Sequence, residues 1–346
     1  MKQQPLILTV LMLLFAAVLS AQNPHTVAFY NVENFYDTLD DPTSEDDDFT
    51  PNGRYEWTQD RYDLKLSNIE RVLHDIALAN DRFPAIIALA EVECRAVLDD
   101  IVSTPKLASA GYCIVHYDSP DVRGIDVALL YRPDVFQLYG SSSVTTIIPQ
   151  QPDFRTRDML TVWGTIEDEE LFFIVAHWPS RRGGSEKSEY LRSAAAAQMR
   201  QVVDSVKILR PKSKFILMGD FNDDPCDASI SEVLGAKAEV DSLATEGFYN
   251  PYYDMLMAGY GTLAYDGVWN IFDNIIVSTN LTYASGNEGL KLQRSINNER
   301  FWGDIFKPDY LIQQDGRYRG YPFRTFSGTK FMGGYSDHLP VYINID

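Results

Sequence analysis

Cysteine and positive charge are both scarce in this chain. Its 346 residues hold three cysteines, Cys94, Cys113 and Cys226, with no paired spacing. That excludes a disulfide framework and a zinc knuckle, and an odd count leaves at least one thiol, which fits inert buried cysteines. Lys and Arg number 30 against 49 Asp and Glu, a formal charge of −19. Such a chain lacks the basic face with which nucleic-acid binders usually neutralise phosphates. It can still handle phosphate, because a divalent cation held by acids can supply the missing charge. Internal repeats, low-complexity tracts and Pro/Gly/Ser-rich linkers are also lacking, which argues for one domain over 22–346. The one long apolar run, Leu6–Leu19 broken by Thr9, follows Lys2 and precedes Ser20-Ala21. It is short for a membrane span and reads as a secretory signal over 1–21. The expectation is a secreted or periplasmic protein with no stable membrane anchor. With no Cys near the cut, a lipoprotein anchor is not indicated.

What the chain does have is apolar and aromatic mass: 45% hydrophobic residues, 20 Tyr, 18 Phe and 5 Trp. That is enough to bury a sizeable core. Near-continuous apolar runs at Thr26–Tyr30, Ala85–Ala90, Tyr112–His116, Val127–Tyr131, Leu160–Ile166, Leu171–Ala176, Phe215–Gly219, Asn274–Val277 and Val341–Ile345 read as strands covered on both faces. Two helices are expected. In Arg61–Asn80 the residues Leu66, Ile69, Val72, Leu73 and Ile76 share a face; in Ser188–Leu209 the residues Leu191, Ala194, Ala195, Val202 and Val206 do. Strands outnumber helices, so two packed sheets flanked by helices are expected. Asp37–Asp48, with seven acids and no base, reads as a solvated loop; a calcium site is the alternative, although the spacing is not that of an EF-hand.

Five polar motifs lie at ends of these strands, four after a strand and the last before one: Tyr30-Asn31-Val32-Glu33, Leu89-Ala90-Glu91-Val92-Glu93, Val175-Ala176-His177-Trp178-Pro179-Ser180, Gly219-Asp220-Phe221-Asn222-Asp223-Asp224-Pro225 and Tyr335-Ser336-Asp337-His338-Leu339-Pro340. Taken singly, each is a cap or a turn. Together they converge oxygen ligands and imidazoles on rigid strand ends, where catalytic groups are best positioned. In this order the motifs resemble those of the endonuclease/exonuclease/phosphatase superfamily, the deoxyribonuclease I-like fold, over roughly Val27–Asn344. The resemblance implies a four-layered α/β sandwich of two mostly antiparallel sheets packed face to face, and a divalent-metal hydrolase of phosphate esters.

Carried over by position, the resemblance makes Glu91 the principal metal ligand, with Asn31, Asp337 and Glu33 near the ion. Asp220 and Asn222 become the pair at the phosphoryl centre or at a second ion. His177 contacts the phosphate or assists the leaving group, Arg157 precedes the strand pair leading to it, and Asp273 orients His338. Ala90 stands where members commonly have Gln, and Asn274 where they often have Arg or Tyr. Hard oxygen ligands suit Mg²⁺ or Mn²⁺. His338, held in one tautomer by Asp273, is the expected general base, and His177, Asn222 and Arg157 would hold non-bridging oxygens. His177 could alternatively act as an acid paired with Asp126. Arg181 and Arg182, on the loop after His177, are expected to bind phosphate. The leading expectation is a monomeric secreted phosphodiesterase acting on DNA or RNA. The alternatives are a phospholipid, sphingomyelin or inositol-phosphate esterase on the same fold, and a non-catalytic binding protein.

Overall fold

The structure is a computed structural model, which describes residues 24–240, 247–282 and 289–346; the expected leader over 1–21 lies outside them. Strand β1 (His25–Phe35) runs through helix α1 (Gln59–Ala79) to the parallel strand β2 (Ile86–Val92). Helix α2 (Arg95–Ser103) and strands β3 (Cys113–His116) and β4 (Asp126–Tyr131) complete that region. Strands β5 (Gln137–Val144) and β6 (Met159–Ile166) lead antiparallel into β7 (Glu169–His177), and helix α3 (Ser185–Leu209) carries the chain to the parallel strand β8 (Lys214–Asp220). Then come β9 (Ala236–Lys237), β10 (Phe248–Tyr249), helix α4 (Tyr253–Met257), the hairpin β11 (Leu263–Tyr265) and β12 (Val268–Asn270), and β13 (Asp273–Ser278). Strand β14 (Asp304–Ile305), a hairpin of β15 (Phe326–Ser327) and β16 (Lys330–Phe331), and β17 (Val341–Ile345) close the chain.

The strands form two large mixed sheets, ordered β14-β17-β1-β2-β4-β3 and β5-β6-β7-β8-β13-β10-β9. Antiparallel pairs predominate in both, and each sheet centres on one βαβ unit. Three apolar clusters define four layers. Val27, Phe29, Phe173, Val175, Ile216 and Met218 belong to the cluster between the sheets. Ile69, Val72 and Leu73 of α1 and Leu98 of α2 pack on the outer face of the first sheet. Ala195, Met199 and Val203 of α3 pack on that of the second. This is the α/β sandwich that the sequence motifs imply.

Every expected strand is present. Strand β5 is an addition: its Gly-Ser-Ser-Ser stretch carries no apolar alternation because it lies at a sheet edge. The face of α3 differs from the expected one. Ser188, Arg192, Ala195, Ala196, Met199 and Val203 are buried, while Leu191, Ala194, Val202 and Val206 are only half-buried. The helix buries a whole arginine, which an apolar-periodicity rule cannot anticipate. His25 opens β1, buried, with Nε2 2.9 Å from Glu167. The cysteines are free thiols, and Cys113 and Cys226 are exposed rather than buried.

Strand alternation positions the site. Side chains two apart share a face, so the stripe Val27, Phe29 continues into Asn31. In the same way Phe173, Val175 runs into His177, and Ile216, Met218 into Asp220. Each stripe turns polar at the carboxyl end of a central parallel strand, where open α/β sheets bind their ligands. In register, His177 lies opposite Asp220, and Asp273, opening the antiparallel β13, lies opposite Asp220 on its other side. Strands β7 and β8 approach so closely that a Cβ on Gly219 would sit 1.8 Å from the Ala176 carbonyl oxygen. Only glycine therefore fits the first position of Gly219-Asp220-Phe221-Asn222.

Candidate active site

Alternation alone would send Glu91 to the far face of β2. Instead it adopts φ +63°, at a register shift between Ala90 and Val92, and its carboxylate turns to β1. Oε2 accepts the Asn34 N–H at 2.8 Å, and Oε1 accepts Asn31 Nδ2 at 3.4 Å. Glu33, Asn34 and Asn222 share this left-handed backbone. Such residues cost roughly 1–3 kcal/mol each and persist where the surroundings over-determine them. Two of the four, Glu91 and Asn222, line one cavity, and Asn34 holds the Glu91 carboxylate through its N–H.

The centre of the site is Asp220 Oδ2. Asn31 Nδ2 donates to it at 3.0 Å, His177 Nε2 lies 3.5 Å away and His338 Nε2 3.7 Å away. Behind His338, Nδ1 lies 2.8 Å from Asp273 Oδ2. Burial works against a charged His338, but Asp273, Asp220 and Asp337 outweigh it and hold its pKa above the usual range. His177 goes the opposite way: burial first, then Arg157, Arg123 and His338, keep it neutral. Burial, reinforced by Asp273 and Glu91 and opposed by His338, raises Asp220 to about 7. Two imidazoles pushed apart in this way can fill different roles, one exchanging a proton and one staying a neutral contact.

The donor chemistry suits a hard divalent cation. Glu91 and Asp220 converge on one amide, and among the described residues no Lys or Arg pairs with either within 4 Å. Asp220, Asp273 and His338 also bring ligand atoms within 4.8 Å of one another. Asn31 enters this set as a donor: its Oδ1 accepts the Glu33 N–H at 3.0 Å, so it turns Nδ2 rather than an oxygen toward the carboxylates.

Several expected roles are relocated. Glu33 accepts the Thr325 N–H at 2.6 Å and lies 3.6 Å from Arg324, whose other nitrogen is 2.6 Å from Asp337. Arg324 thus neutralises both acids where an ion was expected, although Asp337 still borders the site 4.0 Å from His338 Nε2. Arg157 is buried, donating to the carbonyls of His177 and Trp178 and pairing with Asp121. It shapes the His177 strand end and is not free for a substrate oxygen. Asn222 donates to the Trp178 carbonyl at 3.0 Å. Arg181 is held by Asp223, Asp224 and Asp227 and lies over Phe272, so it is corrected from substrate binder to loop brace, whereas Arg182 lines the cavity. Asp126 pairs with His116 at 3.0 Å, and His177 Nδ1 is buried with no hydrogen-bond partner among the described residues, so Asp126 does not orient His177. Glu93 faces Asp37 on the outer side.

Sequence reasoning missed Lys65. This buried lysine donates to Thr325 Oγ1 at 2.6 Å and to the Tyr335 carbonyl, tying the segments that carry Arg324 and Asp337 to α1. No motif announces it, because it occupies a helix face read as apolar.

The buried acids predict a pH effect on the metal-free protein. Burial raises Glu33 and Asp220 to about 7 and Glu93 to about 8. Folded protein then holds these protons to higher pH than unfolded chain, whose carboxyls titrate near 4. Their stabilising contribution is complete below that value and is lost as pH rises through the folded ones. With chelator present, Tm should fall by several degrees between pH 5.5 and 8.5. A flat or rising profile in differential scanning calorimetry would contradict this.

The centre opens into a cavity of about 560 Å³, lined by Glu91, His177, Asp220, Asn222 and His338 on its floor. Residues 26–346 match the model of the Endonuclease/Exonuclease/phosphatase family. No curated protein sequence matches significantly. Among solved structures, a humanized D. rerio TDP2 superposes with TM-score 0.55 at 15% identity, covering 94% of this chain and 100% of that one. A Bacteroides thetaiotaomicron mannosyl-6-phosphatase gives 0.55 at 16%, covering 93% and 99%. The human Nocturnin catalytic domain with bound sulfate gives 0.53 at 15%, covering 94% and 95%. At these identities the likeness is one of fold.

Proposed function

This chain belongs to the endonuclease/exonuclease/phosphatase family, and on that premise we propose that it is a divalent-metal-dependent phosphodiesterase acting on nucleic acid strands. The observation that carries the reading is the Asp273–His338 pair aimed at Asp220, with Glu91 across the same cavity. Glu91 and Asp220 would hold Mg²⁺ or Mn²⁺. When bound, such an ion supplies the positive charge that polarises a phosphate oxygen and weakens the carboxylate field on His338. His338 Nε2 accepts the proton of the attacking water while Asp273 fixes the other ring nitrogen. Neutral His177 and the amide of Asn31 donate to oxygens of the phosphoryl group, a contribution typically worth about 10²–10³ in rate for one donor. D. rerio TDP2, a fold relative, has been solved with a single-strand DNA product, which supports a nucleic-acid substrate.

Release of nitrophenol from bis(4-nitrophenyl) phosphate tests the chemistry. Turnover with Mg²⁺ or Mn²⁺ should vanish in EDTA and return on metal addition; turnover indifferent to chelation sinks the proposal. One observation favours the phospholipid reading. The β11–β12 hairpin exposes Tyr265 and Val268, and Tyr265 borders a second pocket that reaches Asp337. Sphingomyelin turned over faster than DNA or RNA at equal Mg²⁺ would make that the correct substrate class.

We further propose export through the leader over 1–21. No helix among the described residues is long and apolar enough to cross a membrane. Terminal sequencing of exported protein should begin at Gln22, and an uncut chain in the envelope would refute the leader.

A further inference from the structure

The outer half of the catalytic cavity is rich in arginine, although the chain carries a formal charge of −19. Arg123, Arg155, Arg157 and Arg182 all line it. Their partners separate them. Arg157 is fully engaged by main-chain carbonyls and Asp121, and Arg123 lies 3.7 Å from Asp121. Arg155 and Arg182 are exposed, and neither makes an ion pair or side-chain hydrogen bond with any described residue. They come from two different loops: Arg155 lies just before the Arg157 anchor, and Arg182 lies five residues beyond His177. Both loops are held in place. Arg157 clamps the first to the carbonyls of His177 and Trp178, and Arg181, bonded to the Asn222 carbonyl at 2.8 Å, pins the second. Two unpaired guanidiniums are thus presented on braced backbone, at the mouth of a cavity whose floor is already furnished for one phosphoryl group.

Neither arginine contacts Asn31, Glu91, His177, Asp220 or His338. A single phosphate bound on the floor therefore leaves both without a counter-ion. A cavity of about 560 Å³ also exceeds what one phosphate fills, and the half-buried Phe154 in its wall offers a ring against which a base can stack. Of the acids in the outer wall, Asp121 is already paired with Arg157 and Glu45 is exposed at the rim, while on its other side Arg155 borders a separate pocket lined by Asp37, Asp40, Asp41, Asp118 and Asp126.

We propose that Arg155 and Arg182 form an anion subsite that binds a second phosphate of the substrate, one nucleotide from the scissile one. This rests on the phosphodiesterase reading and adds a substrate class: strands with at least two phosphates, in preference to isolated diesters. Guanidinium matches phosphate bidentately, which makes arginine suited to this task.

The test compares thymidylyl-thymidine, with one phosphate, against its 5′- and 3′-phosphorylated forms, with bis(4-nitrophenyl) phosphate as a diester lacking a second anion. Wild type should favour one phosphorylated dinucleotide over the bare one by about tenfold or more in kcat/KM, a charge-assisted bond's worth of discrimination. The exposed double variant R155Q/R182Q should bring that ratio close to one. For a longer strand it should flatten the dependence of log kcat/KM on log salt by about 0.7, the value for one phosphate contact. Equal rates on all three dinucleotides, or a variant that lowers every substrate in the same proportion, overturns the subsite. If no diester is hydrolysed with either metal, the phosphodiesterase reading fails separately. Calorimetric binding of the three dinucleotides then decides the subsite: a phosphate-dependent preference lost in the variant keeps it, and equal binding removes it.

Discussion

Replacing His338 with Ala should lower kcat on bis(4-nitrophenyl) phosphate by about 10³-fold, with Asp273→Asn losing about 10²–10⁴-fold. The two variants separate chemistry from packing. Asp273 is fully buried and its Oδ2 lies 2.8 Å from His338 Nδ1, so asparagine keeps the shape and removes the charge. Without that carboxylate the imidazole binds its proton less tightly, because Asp273 is the largest of the contributions that raise it. The acid limb of the pH–rate profile, which reports deprotonation of the base, should therefore move to lower pH in Asp273→Asn. A merely structural role would lower the rate without moving the limb. An unmoved limb, or a loss below tenfold in His338→Ala, would mean that another group accepts the proton.

The parts of this site that were legible in sequence share a physical cause. Apolar stripes with period two announce the central strands, and each stripe ends in a polar residue at its carboxyl end: Asn31, His177, Asp220. What was illegible is which way a polar side chain turns once there. Asn31 and Glu33 are two residues apart on one strand, yet the side-chain oxygen of Asn31 bends back to accept the Glu33 N–H, and Glu33 leaves for Arg324 and Thr325. Arg324 and Thr325 lie about 290 positions along the chain, so no local rule could connect them. Arg181 and Arg182 look equivalent in sequence. One is captured by three aspartates of the Gly219–Asp227 loop, and its neighbour is left free. Glu91 is a further case: strand periodicity points it away from the site, and only a left-handed residue at a register shift brings it back. In 289–332 the short strands and 3₁₀ turns carry no period, and their conformation follows from contacts with α1 and β17.

The same limit hides the pair on which the second large effect depends. Arg192 sits inside α3 with no solvent exposure, and its Nε lies 2.6 Å from Asp223 Oδ1. Its remaining nitrogens donate to Ser188 Oγ at 2.9 Å and to the Ser185 carbonyl at 3.1 Å. Asp223 also accepts Ser229 Oγ at 2.6 Å and pairs with Arg181 at 3.0 Å, so the loop that presents Asp220 and Asn222 is tied through Asp223 to the helix outside the sheet. Removing one partner of a buried pair leaves an uncompensated charge, at a cost of about 3–5 kcal/mol. Arg181 remains on Asp223, so Arg192→Met should fall at the lower end, about 3 kcal/mol, read as a lower urea midpoint at unchanged slope. Arg192→Met combined with Asp223→Asn removes the stranded charge as well, and should recover part of that loss, giving a coupling above about 1 kcal/mol. Activity should follow the loop rather than the global stability. At a temperature where Arg192→Met is fully folded, its kcat should still fall, because Asp223 sits next to Asn222. Additive losses in the double variant, or full kcat in the folded single variant, would show that α3 does not hold the catalytic loop.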